Sequence, residues 1–143
     1  MKSGFFIILV AMKASELRIG NYVYYHDEEI EKVKAIWYDN TSECYLITTN
    51  LETKDASYIH VFSPIPLTED WLLKLGFEYY EPLNHYRIVI NDVWYSVSKD
   101  MFFTFVNLNY DETKEMPRKK IEYVHQLQNL YWCLCGKELT LKD

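Results

Sequence analysis

Glycine and proline are scarce in this chain, four of each among 143 residues. The glycines stand singly at Gly4, Gly20, Gly76 and Gly136, so no glycine-rich loop is present to cradle a phosphate. The same scarcity leaves little room for flexible linkers. Cysteine is sparse as well. Cys44, Cys133 and Cys135 are an odd number at irregular spacing, which does not make a disulfide framework and points to a reducing compartment. Cys133 and Cys135 form a C-x-C pair, but residues two apart on a helix point about 200° away from each other and cannot ligate one ion. No C-x-x-C occurs. His26, His60, His85 and His125 show neither H-x-x-x-H nor H-E-x-x-H spacing, so a metalloenzyme has no support. No motif sets a Ser or Cys nucleophile beside His60 or His125. No catalytic residue, metal ligand or cofactor is expected.

Long apolar runs and an excess of positive charge are also missing. The run Phe5–Met12 is eight residues, too short for about 30 Å of hydrocarbon, and no membrane partner is expected. Met12-Lys13-Ala14-Ser15-Glu16-Leu17 reads as an ordinary cytoplasmic start, with residues 1–11 as an extension or start-site artefact. A secretory signal is the second reading, though Lys13 sits where small cleavage-site residues belong. Formal charge is −6, and residues 13–62 hold nine acids against five bases. That balance makes nucleic acid a less favoured partner. Arg118-Lys119-Lys120 is the one basic run, read as a solvated patch.

Aromatic residues are abundant: 24, of which 13 are Tyr. Strand composition accounts for most of them, and the other reading is a recognition surface. Period-two alternation and turn clusters predict strands over Tyr22–His26, Ile30–Tyr38, Cys44–Thr49 and Ser57–Phe62. They form a small antiparallel sheet or an SH3-like barrel. Pro64 and Pro66 stop pairing. Thr68 then caps a short helix that ends at Gly76. Tyr86–Ile90, Val93–Ser98 and Phe102–Asn107 predict a second small antiparallel sheet, its first hairpin turning at Asn91-Asp92. Leu108–Glu115 reads as a surface loop. Pro117 is placed to open, and Gly136 to close, a long buried C-terminal helix.

On that helix Ile121, Val124, Leu127, Leu130, Tyr131, Leu134 and Cys135 fill a broad apolar arc, while Glu122, His125, Gln126, Asn129 and Cys133 share the polar remainder. Gln128 falls inside the apolar arc, so its amide is expected to bond to backbone of a neighbouring strand or loop.

Glu16–Val23 (ELRIGNYV), Pro64–Phe77 (PIPLTEDWLLKLGF) and Val124–Leu139 (VHQLQNLYWCLCGKEL) together resemble an uncharacterised family of small proteins from gut Bacteroidetes, their phages and mobile elements. The resemblance covers nearly the whole chain after Met12, and residues 1–11 depart from it. It implies an accessory gene of a mobile element and carries over no catalytic residue.

The expectation is therefore a single α+β domain over 12–143, with a strand-rich first half (12–67) and a second half (68–143) of helix, small sheet and C-terminal helix. The expected function is non-enzymatic binding of a protein or small molecule, in host interaction or anti-defence. The alternative is a nucleic-acid-associated module using the first half. Adjacent aromatics on a strand cannot both face one core. Trp37, Tyr38, Trp94 and Tyr95 are therefore the candidate contact residues, with Gln128 as the buried structural polar group.

Overall fold

A computed structural model describes residues 12–53, 55–107 and 118–142. The described residues divide into two compact units, one up to Ile65 and the other from Pro66 on. Both are mixtures of short elements: three small antiparallel sheets in all, and one long C-terminal helix. Residues 1–11 and the expected loop 108–115, with Pro117, lie outside the described residues.

In the first unit, Arg18–Asn21 turns the chain into the first strand. The Asn21 carboxamide accepts from Arg18 N at 2.7 Å, and Gly20 takes φ +100°. Strand β1 (Tyr22–Tyr25) pairs antiparallel with β2 (Glu29–Lys32) across a turn in which His26 and Asp27 are both left-handed. The expected long strand 30–38 is in fact two. Val33 N donates to Asn21 O, whereas Lys34 N donates to Thr48 O, so the backbone changes partner between these two residues. Strand β3 (Ala35–Asp39) then pairs with β4 (Cys44–Thr48), which pairs with β5 (Ser57–Tyr58).

The expected strand 57–62 is also interrupted. A 3-10 turn at Ile59–Val61 carries the chain from β5 to β6 (Phe62–Ser63), which pairs with β1. The result is two three-stranded sheets, β2-β1-β6 and β3-β4-β5, and neither closes on itself. A barrel closed by one continuous sheet is not what these strands form, because both long strands break where their partners change. Met12, Leu17, Val23, Val33, Ile47 and Phe62 make the core of this unit, with Tyr25, Ile36, Ile59 and Val61 packed against it.

The second unit opens with helix α1 (Glu69–Lys74). The Thr68 hydroxyl accepts from Trp71 N at 3.2 Å, Glu69 and Asp70 occupy the positive first turn, and Gly76 leaves at φ +98°. A Cβ at Gly76 would stand 2.9 Å from the Lys142 side chain, and the left-handed φ itself disfavours one. Strands β7 (Glu78–Tyr80), β8 (His85–Ile90), β9 (Val93–Ser98), β10 (Phe102–Asn107) and β11 (Lys119–Lys120) form one antiparallel sheet in the order β11-β10-β9-β8-β7. It is two strands wider than the three read from the sequence. Asn91 and Asp92, both with positive φ, make the two-residue turn that sets Ile90 opposite Val93.

The last helix, α2 (Val124–Cys135), starts later than Pro117 would have it. Lys119 and Lys120 are taken into the sheet, Ile121 N bonds Met101 O, and Tyr123 bridges to Pro66. These pairings hold the chain extended to Tyr123. The Gln126 side chain then accepts from Tyr123 N and Glu122 N, supplying the cap. The buried arc is also rotated from its expected place. His125, assigned to the polar side, is buried, whereas Leu134 and Trp132 in the last turn are exposed. Val124, Leu127, Gln128 and Tyr131 are buried as the period requires. Among the described residues no helix is long and apolar enough to cross a membrane.

Thr68→Ala removes the only side-chain cap of a six-residue helix and is expected to cost about 1 kcal/mol. Urea unfolding of the variant measures it; an unchanged midpoint would show that the fold holds α1 without its cap.

Candidate functional site

In the second sheet of the first unit, Ile47 is fully buried and Ile36 opposite it packs on the core, so alternation sends their neighbours to the other side. Register then aligns Trp37 with Leu46 and Leu46 with Tyr58, one from each strand, in a row facing away from the core. Trp37 is 41% and Tyr58 43% exposed, and the His60 ring stacks on Tyr58 at 5.6 Å between centroids. Tyr38 lies on the core side but beyond the core's end. It is exposed too, its ring edge-on to Tyr45 at 5.1 Å. Of the Trp37–Tyr38 pair both members thus meet solvent, on opposite sides.

The surroundings are acidic. The segment 35–58 holds Asp39, Glu43, Glu52 and Asp55 against the single base Lys54. Asp39 shares the side of Trp37 and ties the β3–β4 turn, accepting from Ser42 Oγ at 2.6 Å, Ser42 N and Thr41 N. The Ser42 hydroxyl holds its carboxyl below the usual carboxylate range, with the two turn amides assisting.

The sheet of the second unit divides Trp94 from Tyr95. Tyr95 faces the core with Tyr86, Val97 and Phe103, and meets Tyr131 of α2 edge-on at 5.3 Å. Trp94 faces outward with Tyr80, His85, Arg87, Ser96, Ser98, Phe102 and Thr104, as the pairings Tyr80↔His85↔Ser98, Arg87↔Ser96↔Thr104 and Val89↔Trp94 require. The guanidinium of Arg87 lies 3.8 Å from the Tyr80 ring centre and 4.2 Å from that of Trp94. Among the described residues its contacts are with these rings and not with a carboxylate, and a ring leaves guanidinium donors unused.

Arg118 and Lys120 rest on the Phe102 ring at 4.8 and 5.1 Å, and Lys120 also donates to the Asp100 carbonyl. His85 Nε2 and Thr104 Oγ1 are buried without a partner among the described residues. Each such atom costs about 1–3 kcal/mol. Burial lowers the pKa of His85, and the positive charge of Arg87 lowers it further.

Of the four candidate contact residues, Trp37 and Tyr38 belong to one unit and Trp94 and Tyr95 to the other, and Tyr95 is core. Leu46, Tyr58, Tyr80 and Arg87 were not singled out from the sequence. The two-residue turn at Asn91-Asp92 could have found Arg87, because it implies the pairing of Arg87 with Ser96 and of Val89 with Trp94. Gln128 is fully buried, and its Nε2 donates to the Leu139 carbonyl in the segment after α2 at 3.0 Å. Among the described residues no three His, Cys, Asp or Glu side chains are grouped to hold a metal ion.

Gln128→Leu leaves the Leu139 carbonyl short of a donor in a buried place and is expected to cost about 1–3 kcal/mol in urea unfolding. A neutral substitution would mean that another donor replaces the amide. Burial first, and for Tyr95 and Tyr131 the neighbouring Cys135 thiol, raises the pKa of the Tyr86, Tyr95 and Tyr131 phenols. Their contribution to stability is therefore intact below the unfolded phenol value of about 10 and is lost as pH rises through the higher folded values. Denaturant unfolding across alkaline pH should show this decline, and Tyr95→Phe and Tyr131→Phe should each make it shallower. No family model, curated protein or solved structure matches this chain.

Proposed function

We propose that this chain is a non-enzymatic binding protein of phage or mobile-element origin that acts in the cytoplasm on a host protein. The observation that carries the reading is the outward row Trp37–Leu46–Tyr58 across β3, β4 and β5. Large aromatic side chains left in solvent side by side are the residues that supply most binding energy when a partner covers them. The scaffold supports the same reading. The backbone passes from one three-stranded sheet to the other at Val33–Lys34 and returns through the 3-10 turn at Ile59–Val61, so short connections tie the two sheets together. Such a frame holds a flat aromatic strip rigid, so little ordering cost falls on binding.

Charge selects the kind of partner. Four acids against one base in the segment that builds this sheet favour an exposed apolar side chain flanked by Lys or Arg. The same imbalance disfavours the first unit as a nucleic-acid reader. Membership in the mobile-element family rests on the three sequence stretches that resemble it.

A displayed peptide library selected against the protein tests the reading. Enriched sequences should place an aromatic or aliphatic residue beside Lys or Arg. The double variant Trp37→Ala/Tyr58→Ala should bind them at least about 30-fold more weakly while keeping its circular dichroism spectrum. Selected peptides that bind the folded double variant equally well, or a library that yields no enrichment, would remove this face as the binding surface.

A further inference from the structure

The outer face of the five-stranded sheet concentrates positive charge in a chain whose net charge is −6. Its cations are Arg87 on β8, Lys120 on β11 and Arg118 just before it, and each is held against an aromatic ring rather than a carboxylate. The ion pair of Lys74 with Asp70 lies on α1, away from this face. Glu78 shares this face, opposite Arg87 in register, yet no ion pair joins them. Asp92 and Asp100 stand in the turns at its two ends. Between the cations the register sets Ser96, Ser98, Thr104 and His85, of which Ser96, Thr104 Oγ1 and His85 Nε2 are buried.

Cations paired with carboxylates are already neutralised; these are not. A ring fixes a guanidinium without using its hydrogen-bond donors, so the plane is oriented in advance and the edge remains open to an oxyanion. Three inter-strand steps of about 4.8 Å place the strand of Arg87 about 14 Å from β11, a span for several backbone groups of an extended polyanion rather than for one small anion. Trp94, Tyr80 and Phe102 line the same path, and rings interleaved with cations suit a strand whose bases have free faces.

We infer that the outer face of the β7–β11 sheet binds a single-stranded nucleic acid, its phosphates taken by Arg87 at one side and by Arg118 and Lys120 at the other. Affinity comes from the backbone and from stacking, so base sequence matters little. This face is distinct from the aromatic row of the first unit, and its standing does not depend on that row.

Fluorescence anisotropy of the full chain with a labelled oligothymidylate or oligouridylate at low salt tests it. Three phosphate contacts predict that log K falls against log salt with a slope of about −2. Arg118→Gln/Lys120→Gln should reduce the slope to about −0.7, and Arg87→Gln should reduce it by about 0.7. Each variant should also lose on the order of tenfold in affinity at low salt. The exposed Lys137→Gln, which removes the same charge elsewhere, should change neither quantity. If Arg87→Gln disturbs the sheet, the paired substitution outside β8 still decides the matter. Absence of binding at low salt overturns the inference, as does binding that the folded Arg118→Gln/Lys120→Gln protein retains. Equal displacement by a polyglutamate peptide also overturns it, because the face would then take acidic protein.

Discussion

An antiparallel strand can give a core only every second side chain, and both units are governed by that limit. In the first, burying Ile36 and Ile47 turns Trp37 and Leu46 outward. In the second, burying Tyr86, Tyr95, Val97 and Phe103 turns Arg87, Trp94, Ser96 and Phe102 outward. With this many aromatics and sheets so narrow, some rings must face solvent. Two sheets treat them differently. The β3-β4-β5 sheet leaves a strip of rings bare among acids, and the outer face of the five-stranded sheet lays cations on its rings.

Much of the architecture was legible because its signals are local. Thr68 and Gly76 mark α1 through capping and a left-handed exit, and Asn91-Asp92 marks the hairpin through positive φ. The alternation that marks strands also survives in both units. The misses share a cause. The breaks at Val33–Lys34 and Ile59–Val61 are changes of partner, and a change of partner leaves the alternating pattern almost intact. The start of α2 was misplaced for a related reason. Pro117 is a good opening signal, but pairing of Lys119–Lys120 with β10 outweighs local helix preference and holds the chain extended to Tyr123.

The candidate surfaces were less legible than the fold. Adjacent aromatics announce that one ring of a pair must leave the core, but which ring leaves depends on register, a non-local quantity. Tyr95 proved to be core and Trp94 outer, while Trp37 and Tyr38 both meet solvent because the core of the first unit ends before Tyr38 does. Arg87 gave no signal as a single residue in a strand. Its meaning appears only when Tyr80 and Trp94, seven residues to either side, are brought to it by β7 and β9.

Net charge is a poor guide to a protein whose charges are sorted by face. Counted over the chain, acids outnumber bases 21 to 15, which weighs against a phosphate partner. Field strength, however, falls off within about 10 Å at ordinary ionic strength, so a bound polyanion senses the nearest side chains rather than the total. Cations held on rings keep their full charge at the surface, whereas cations matched with carboxylates contribute little beyond their own pair. What sets the outer face of the five-stranded sheet apart is therefore what its cations rest on. That choice is made by the register of the strands, which places Tyr80, Trp94 and Phe102 where Arg87, Arg118 and Lys120 can lie across them.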